Sequence, residues 1–297
     1  MSEVRSGEVI NARWEILSAL GEGTSGEVFR ARDRQGGPEV ALKLLHAGAL
    51  RGSDARRRFE REARALSGLL HAHVVGALEI GEHGAGSAAR PYLVMELLSG
   101  PSLESLIARE RLSPHVALTL AHQILAGLAH AHELGLVHRD IKPGNVVVHY
   151  DAASQPIARL VDFGLVRFAD LEVWGEQSVL TGTGAMLGTP AYMSPEHAFG
   201  PIIDARSDVY SAGVVLFELL TGTWPFVAEA VPDVLRAHAL DPVPSLMDAR
   251  QDLEVKPELD ALIQRAMAKK PADRFADAGE MKRALWDISV PAAWLAR

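Results

Sequence analysis

The sequence predicts an α+β fold of two lobes, in which a small, mainly antiparallel β lobe with one key helix precedes a larger, mainly α-helical lobe. Three observations predict it. Strand-like segments dominate the N-terminal third, with a glycine- and proline-containing turn at 33–38 between two short runs. The Gly100–Pro101 dipeptide then marks a break between lobes. Beyond it, apolar stripes with the helical period take over.

Length and composition limit the class of protein. A chain of 297 residues with ordinary apolar content predicts one large domain or two small lobes with a sizeable core. The net charge of −8, with acids and bases interspersed, argues against nucleic acid as a partner, because phosphate backbones require a clustered basic surface. There is no cysteine, which excludes disulfides and thiolate sites. The opening residues lack a secretory signal and 209–220 is too short to span a membrane, so a cytoplasmic location is expected.

The first strand runs into Gly21, Gly23 and Gly26, which have the spacing Gly-x-Gly-x-x-Gly. This spacing alone is compatible with a dinucleotide-binding turn, a flap over phosphates or an ordinary turn. A dinucleotide fold requires a helix directly after the glycines, whereas here a short strand at 28–32 meets the turn at 33–38. The glycines are therefore expected between two strands, as a flap that covers phosphates, with a plain turn as the alternative.

Lys43 ends the next strand and, taken alone, would be a solvated strand-end lysine. The segment from Asp54 to Leu70 then predicts a helix with Phe59 and Leu66 on its apolar stripe. Glu62 lies on the same side of that helix, and a carboxylate buried without a partner is costly. We therefore expect Lys43 and Glu62 to pair, the alternative being that Glu62 lies at the edge of the stripe and reaches water.

The remaining elements follow from their end signals. Strands are predicted at 74–80 and 92–96, and a short helix at 102–109. Ser113 and Pro114 open a longer helix, with serine as the N-cap and proline at the first helical position.

The C-terminal half contains further helices. The apolar run at 209–220 predicts a buried helix that Asp208 opens and caps, and this aspartate is also placed to accept hydrogen bonds from a distant loop. Two more helices are predicted within 257–287. His130, His132 and His138 lack the spacing of a zinc helix, so a metal centre is rejected for them.

The most informative stretch of the chain is His138-Arg139-Asp140-Ile141-Lys142-Pro143-Gly144-Asn145, followed by Asp162-Phe163-Gly164. Asp140 is placed to accept a proton, and Lys142 to contact a phosphate. Asn145 and Asp162 are hard oxygen ligands of the kind that magnesium prefers. So many polar residues in one short loop do not suit a core, and they indicate a site, with His138 packed beneath it.

Together these motifs resemble those of the Ser/Thr protein kinases, particularly the eukaryotic-like (Hanks-type) kinases of bacteria. The resemblance spans Trp14 to Leu285, with the motifs in the expected order. It implies the bilobal protein-kinase fold as a single domain over 1–297. Within that domain it implies an N-lobe at about 10–97, a C-lobe at 98–290 and an activation segment at 162–196.

The resemblance also implies a role for each residue in phosphoryl transfer, which requires mainly positioning and charge neutralisation. Lys43, held by Glu62, would neutralise phosphates of ATP. Asp140 would accept or orient the proton of the substrate hydroxyl, and Lys142 would stabilise the transferred phosphate. Asn145 and Asp162 would hold Mg²⁺, with Mn²⁺ as an alternative. The residues implied in nucleotide binding are Leu20, Gly21, Gly23, Gly26, Val28, Ala41, Lys43, Met95, Glu96, Leu98 and Val147.

The segment 162–196 is where the resemblance implies regulation. A phosphate on Thr181 or Thr183 would add about −1.5 to −2 charges and could order the segment against Arg139. Activation by autophosphorylation at these threonines is expected, the alternative being that they are polar loop residues without a role. Near the end of the segment, Glu196 is expected to pair with Arg274 and to be structural.

The sequence thus predicts a Ser/Thr protein kinase that transfers the γ-phosphate of ATP to protein substrates. A pseudokinase that binds nucleotide without turnover, a non-catalytic interaction module and a small-molecule kinase of the same fold are the alternatives. ATP and protein substrates are the expected partners. A homodimer through the N-lobe is a further expectation, and membrane anchoring is expected only if the chain is part of a longer one.

Overall fold

The structure is a computed structural model that describes residues 4–23, 26–46, 57, 65–85, 89–163, 190–200, 203–253 and 256–289. The chain forms two compact units. The first contains the described residues up to His71 together with 75–99, and the second contains 72–74, 100–163 and the described residues from Pro190 onward. Lys43 and the glycines of the predicted flap belong to the first unit, and the polar loop around Asp140 belongs to the second.

The first unit is built on an antiparallel sheet of six strands. In chain order these are β1 (Val9–Ile10), β2 (Trp14–Gly23), β3 (Gly26–Asp33), β4 (Glu39–Leu45), β5 (Ala77–His83) and β6 (Arg90–Glu96). Across the sheet the order is β1-β2-β3-β4-β6-β5. Because Gly23 ends β2 and Gly26 opens β3, the prediction that the glycines lie between two strands is confirmed.

Alternation of side chains explains why these segments form a sheet with one buried face. In β3, Phe29 and Ala31 are buried whereas Arg30 and Arg32 are exposed, which is the period-two pattern of a half-buried strand. The core of the unit is a continuous apolar cluster. Its members are Val4, Ile10, Trp14, Ile16, Phe29, Ala31, Val40, Leu42, Leu44, Tyr92 and Val94.

Two sequence predictions in this region have different outcomes. The strand expected at 74–80 is found at Ala77–His83, because Val74 instead forms an isolated bridge with Leu160 in the second unit. Residues 65–67 are helical, as expected for the end of the helix predicted from 54 to 70. Glu62, the acidic residue of that helix, lies outside the described residues.

The second unit is mainly helical. Its helices are α1 (Leu103–Ile107), α2 (Pro114–Glu133), α3 (Pro195–Phe199), α4 (Ala205–Thr221), α5 (Val231–Leu240), α6 (Leu246–Ala249), α7 (Pro257–Ala266) and α8 (Ala278–Ser289). A two-stranded antiparallel sheet of β7 (Val146–Tyr150) and β8 (Pro156–Leu160) accompanies them. The predicted α+β class is confirmed. The start of α2 is also as predicted, since the Ser113 hydroxyl oxygen accepts a hydrogen bond from the Val116 N–H and Pro114 is the first helical residue.

Helix α4 is the centre of the second unit, and every residue from Ser207 to Thr221 is buried. The prediction of a buried helix is therefore confirmed, but the predicted cap is wrong. The helix begins at Ala205, and the Asp204 carboxylate accepts a hydrogen bond of 2.9 Å from the Arg206 N–H, so Asp208 lies within the first turn. Within the part of the chain that the structure describes, no helix is long and apolar enough to cross a membrane.

Candidate active site

Asp140 lies in the loop between α2 and β7, and two neighbours orient its carboxylate. Lys142 Nζ lies 2.9 Å from Asp140 Oδ2. The Asn145 side-chain amide donates to the same carboxylate oxygen at 3.0 Å and to the Asp140 carbonyl oxygen at 2.7 Å. The side chain of Asp140 remains 24% exposed. The carboxylate is therefore fixed in direction and still reachable, which a general base requires.

Asn145 and Asp162 lie at the same end of the two-stranded sheet. In that sheet Val146 pairs with Leu160, and the Val161 N–H continues the ladder by donating to the Asn145 carbonyl oxygen at 3.0 Å. Since the Asn145 amide nitrogen donates to Asp140, its Oδ1 is the atom that remains for a metal. An amide oxygen and a carboxylate are hard ligands, so this donor set fits Mg²⁺.

Arg139 and Asp162 both have left-handed backbone conformations, each with φ of +66°. Such conformations cost non-glycine residues of order 1–3 kcal/mol and persist only where the surroundings impose them. For Arg139 the surroundings are visible, because the Asp208 carboxylate accepts hydrogen bonds of 2.7 Å from the backbone N–H groups of His138 and Arg139. Local sequence patterns do not indicate either conformation, since arginine rarely adopts positive φ and most aspartates do not adopt it either.

Asp208 connects the loop to two helices. The prediction that it accepts hydrogen bonds from the loop backbone is confirmed. His132 Nδ1 accepts a hydrogen bond of 3.2 Å from the Ala278 N–H at the start of α8, so the protonated Nε2 donates to Asp208 Oδ2 at 3.0 Å. Burial alone would raise the pKa of Asp208, but the hydrogen bonds from His132 and His138 more than offset it and hold that pKa below its usual range.

His132 has a role in positioning that local sequence patterns do not indicate. Its partner Asp208 lies 76 residues away along the chain. In the structure His132 orients the carboxylate that holds the loop around Asp140. Only a signal linking positions distant in sequence could have found this contact.

His138 packs beneath the loop, as predicted. It is fully buried, and its ring centroid lies 4.5 Å from that of Phe163. Its Nδ1 accepts from the Asp140 N–H at 3.3 Å, so Nε2 donates to the Val161 carbonyl oxygen at 3.1 Å. Burial lowers the pKa of His138 and favours this neutral form. The histidine thus joins the backbone of Asp140 to the strand end that carries Asp162.

In the first unit, four of the predicted nucleotide-binding residues share one face of the sheet. Val28 is paired with Lys43, and Ala41 with Met95, and directly paired residues point to the same side. Ala41 lies two residues before Lys43 in the same strand and therefore also on that side. Lys43 is 7% exposed. The sheet thus presents the buried cation of Lys43 next to small and apolar side chains.

Gly26 is the glycine whose lack of a side chain matters most for packing. A Cβ atom at this position would lie 2.3 Å from the Leu44 carbonyl oxygen, whereas at Gly21 it would meet nothing within 4 Å. The strand that leaves the glycine-rich turn therefore packs directly on the backbone next to Lys43. Leu20 at the turn is 51% exposed.

Several predicted site residues are outside the described part of the chain. These are Glu62 and the two threonines Thr181 and Thr183. The pair expected at the end of the segment is described, and it is confirmed. Arg274 Nη1 and Nη2 bind the two carboxylate oxygens of Glu196 at 2.7 and 2.8 Å.

Ser194, beside this pair, provides a stability prediction. Its hydroxyl is fully buried and makes no hydrogen bond within the described residues. Ser194→Ala is expected to raise the free energy of unfolding by about 1 kcal/mol, because a buried hydroxyl without a partner costs about 1–3 kcal/mol. Urea denaturation measures this change.

Ser211→Ala is the matched control for Ser194→Ala. The Ser211 hydroxyl is also buried, but it donates to the Tyr192 carbonyl oxygen at 2.7 Å, so its removal should lower stability by about 1 kcal/mol. An equal loss of stability in both variants would contradict the interpretation of Ser194.

Comparisons with known proteins find similarity to protein kinases. A family model described as "Protein kinase domain" matches residues 14–286. The chain is 35% identical over 280 residues to the serine/threonine-protein kinase pkn3 of Myxococcus xanthus, covering 94% of this chain and 50% of that protein. It is 39% identical over 290 residues to the DNA damage-responsive serine/threonine-protein kinase RqkA of Deinococcus radiodurans, covering 97% of this chain and 41% of that protein.

The chain therefore spans half or less of the length of these relatives. Among solved structures, the kinase domain of Mycobacterium tuberculosis PknI matches with a TM-score of 0.73 at 26% sequence identity. That match covers 98% of this chain and all of the other.

Proposed function

Because this chain belongs to the protein kinase family, we propose that it is a serine/threonine protein kinase that transfers the γ-phosphate of ATP to protein substrates. The observation that carries the proposal is the carboxylate of Asp140, which Lys142 and Asn145 orient while it stays accessible. A lysine two residues after this aspartate is the pattern of Ser/Thr kinases, as the family resemblance implies.

In the proposed mechanism, the Asp140 carboxylate orients the substrate hydroxyl and receives its proton as the hydroxyl oxygen attacks the γ-phosphorus. The bond between that phosphorus and the β-phosphate oxygen breaks, and ADP leaves. Lys142 Nζ, 2.9 Å from that carboxylate, places a positive charge where negative charge develops on the transferred group. Asn145 Oδ1 and the Asp162 carboxylate would hold Mg²⁺ or Mn²⁺, which when bound neutralises phosphate charge. The loop does not have to reorganise during transfer, because Asp208 holds its backbone.

ATP binding is proposed for the first unit. The shared face of Val28, Ala41, Lys43 and Met95 supports this, since it offers apolar contacts for a base and the cation of Lys43 for phosphates. Glu62 is proposed to hold Lys43. The remaining nucleotide-binding residues of the first unit in this proposal are Leu20, Gly21, Gly23, Gly26, Glu96 and Leu98. The family resemblance also implies Val147, which belongs to the second unit.

We further propose activation by autophosphorylation at Thr181 or Thr183, with Arg139 as the cation that receives the phosphate.

A cytoplasmic location is proposed, with membrane anchoring only if the chain is part of a longer protein. A homodimer through the first unit is also proposed, and Leu78, which is 61% exposed on β5, is the side chain chosen to test it. Sedimentation velocity of the parent chain and of Leu78→Asp tests the dimer, and identical monomeric profiles would rule it out.

The experiment that tests the function is the intact mass of the phosphatase-treated chain before and after incubation with ATP and Mg²⁺. We expect mass gains of whole phosphoryl groups in the parent chain, and none in Lys43→Met or when the divalent ion is chelated. Peptide mapping then locates the phosphates, and fully active enzyme without phosphate on Thr181 or Thr183 contradicts the proposed activation. If neither the chain itself nor a generic protein substrate acquires phosphate, the pseudokinase alternative replaces the proposal.

A further inference from the structure

Arg90, the first residue of β6, joins three strands of the first unit through one guanidinium group. Its Nε donates to the Leu45 carbonyl oxygen at the end of β4, at 2.8 Å. Its Nη2 lies 3.0 Å from Glu27 Oε2, near the start of β3. The two charged side chains are only 14% and 7% exposed. A charge pair this deeply buried is held to a narrow geometry, because the cost of removing two charges from water is offset only where they bond well.

The ion pair lies between the glycine-rich turn and the end of the strand that carries Lys43. Glu27 directly follows Gly26, the last glycine of the turn, and Leu45 is two residues beyond Lys43. In the sheet Gly26 pairs with Leu45 and Glu27 with Leu44. The guanidinium group therefore bonds at the point where the strand leaving the glycine-rich turn lies against the end of the strand that carries Lys43.

At the same point the backbones of β3 and β4 are packed so closely that no side chain fits at position 26. A Cβ atom on Gly26 would lie 2.3 Å from the Leu44 carbonyl oxygen and 2.8 Å from the Leu45 Cα, so the two strands are in direct contact there. The Arg90 side chain thus links β3 and β4 where they are in contact. A small displacement of β3 at this point would also displace the glycines.

We propose that Arg90 and Glu27 form a clamp that fixes the glycine-rich turn relative to Lys43, so that Arg90 is a positioning residue for the phosphates of the nucleotide. This inference rests on the proposed function, since it assumes that the turn covers phosphates. The clamp bonds the strand ends beside the turn. It does not involve Val28, Ala41 or Met95, the residues of the face proposed to hold the base.

Loss of the clamp should therefore affect binding of the phosphates selectively, whereas a general loss of stability should weaken ATP and adenosine binding alike. Without the clamp, ATP should bind more weakly, whereas adenosine, which has the base and sugar but no phosphates, should bind as before. We expect Arg90→Met to weaken ATP binding by about tenfold to 10²-fold, the loss expected when binding groups are misplaced by up to an ångström. Adenosine affinity should stay within about twofold of the parent chain, because no clamp bond involves the face proposed to hold the base.

The test is isothermal calorimetry of ATP with Mg²⁺ and of adenosine, on the parent chain, Arg90→Met, Glu27→Gln and the double variant. Because the two residues act as one clamp, the double variant should be no worse than Arg90→Met alone. Arg90→Lys keeps the charge and should recover part of the ATP affinity, and it replaces Arg90→Met if that variant does not fold.

Arg13→Met is the matched control. Arg13 also joins strands of this sheet through one guanidinium group, because it binds Asp33 at the end of β3 and Glu79 in β5. Asp33 lies at the end of β3 away from the glycines and on the side of the strand opposite to Val28. This control should bind both ligands like the parent chain. Equal weakening of ATP and adenosine in Arg90→Met, or ATP affinity equal to that of the Arg13 control, would overturn the clamp alone. Failure of the parent chain to bind ATP would overturn the proposed function and the clamp's role together.

Discussion

Asp140→Asn is expected to lower the rate of phosphoryl transfer by about 10²–10⁴-fold, the usual contribution of a positioned general base. Asparagine keeps the shape of the side chain, and its oxygen can still accept from Asn145, but it cannot take up a proton at neutral pH. It also removes the negative partner of Lys142, 2.9 Å away, and so changes the charge at the centre of the site. The affinity for ATP should change little, since Asp140 is proposed to act on the substrate hydroxyl.

The measurement is the initial rate of phosphate incorporation from radiolabelled ATP, together with ATP affinity by calorimetry. Asp233→Asn is the matched control, because Asp233 is an exposed aspartate on α5, and its rate should equal that of the parent chain. An undiminished rate in Asp140→Asn would show that another group accepts the proton. Loss of ATP binding in this variant would instead place Asp140 in nucleotide binding.

Arg274→Met is expected to lower the free energy of unfolding by about 3–5 kcal/mol, the usual cost of removing one partner of a buried ion pair. The Arg274 side chain is fully buried and binds both oxygens of Glu196. It also donates to the carbonyl oxygens of Ala268, Arg206 and Lys269, at 2.7, 3.0 and 3.1 Å. Methionine fills much of the volume but leaves the carboxylate and the carbonyl groups without these donors.

Urea denaturation at neutral pH measures this loss. Arg206→Met is the control, because the Arg206 side chain is 40% exposed and its ion pair with Asp204 is long, at 3.9 Å, so stability should change by no more than about 0.5 kcal/mol. Combining Arg274→Met with Glu196→Gln should recover part of the loss, since the stranded charge is removed. A loss below about 1 kcal/mol in Arg274→Met would mean that water or other groups replace the arginine.

The same ion pair predicts a dependence of stability on pH. Burial alone would raise the pKa of Glu196, but hydrogen bonds from Arg274 and Ser207 more than offset it and lower that pKa. A lowered pKa in the folded state means that this stabilisation is fully present above the usual pKa of glutamate. It is lost as the pH falls through the lower pKa of the folded protein. The decline at acid pH should therefore be smaller in Glu196→Gln.

Features encoded by neighbouring residues could be predicted from the sequence. The start of α2 follows from Ser113 and Pro114, because a cap depends on residues within one turn. The turn between β3 and β4 follows from the glycines and proline at 33–38, and the polar stretch around Asp140 marks itself as a site. The predicted start of α4 is nevertheless one turn too late. The prediction chose Asp208 as the cap, whereas Asp204 caps the helix, and both residues are able to do so.

Features that join distant segments could not be predicted from local patterns. Arg90 and Glu27 lie 63 residues apart, and neither stands in a motif that announces an ion pair. The left-handed conformation of Asp162 depends on its surroundings rather than on its residue type. In each case the structure depends on packing between elements. The periodicity of residues within one element carries no information about that packing.

The hydrogen bond from the Ala278 N–H to His132 has a consequence for the order in which the protein matures during synthesis. A nascent chain that ends before α8 contains every residue of the loop around Asp140 but lacks the donor that sets the His132 tautomer opposite Asp208. Contacts between residues so far apart form late, because the intervening chain must be closed first. Helix α8 thus completes the support of the loop, and a translation product truncated before α8 would carry the motif without its fully assembled geometry.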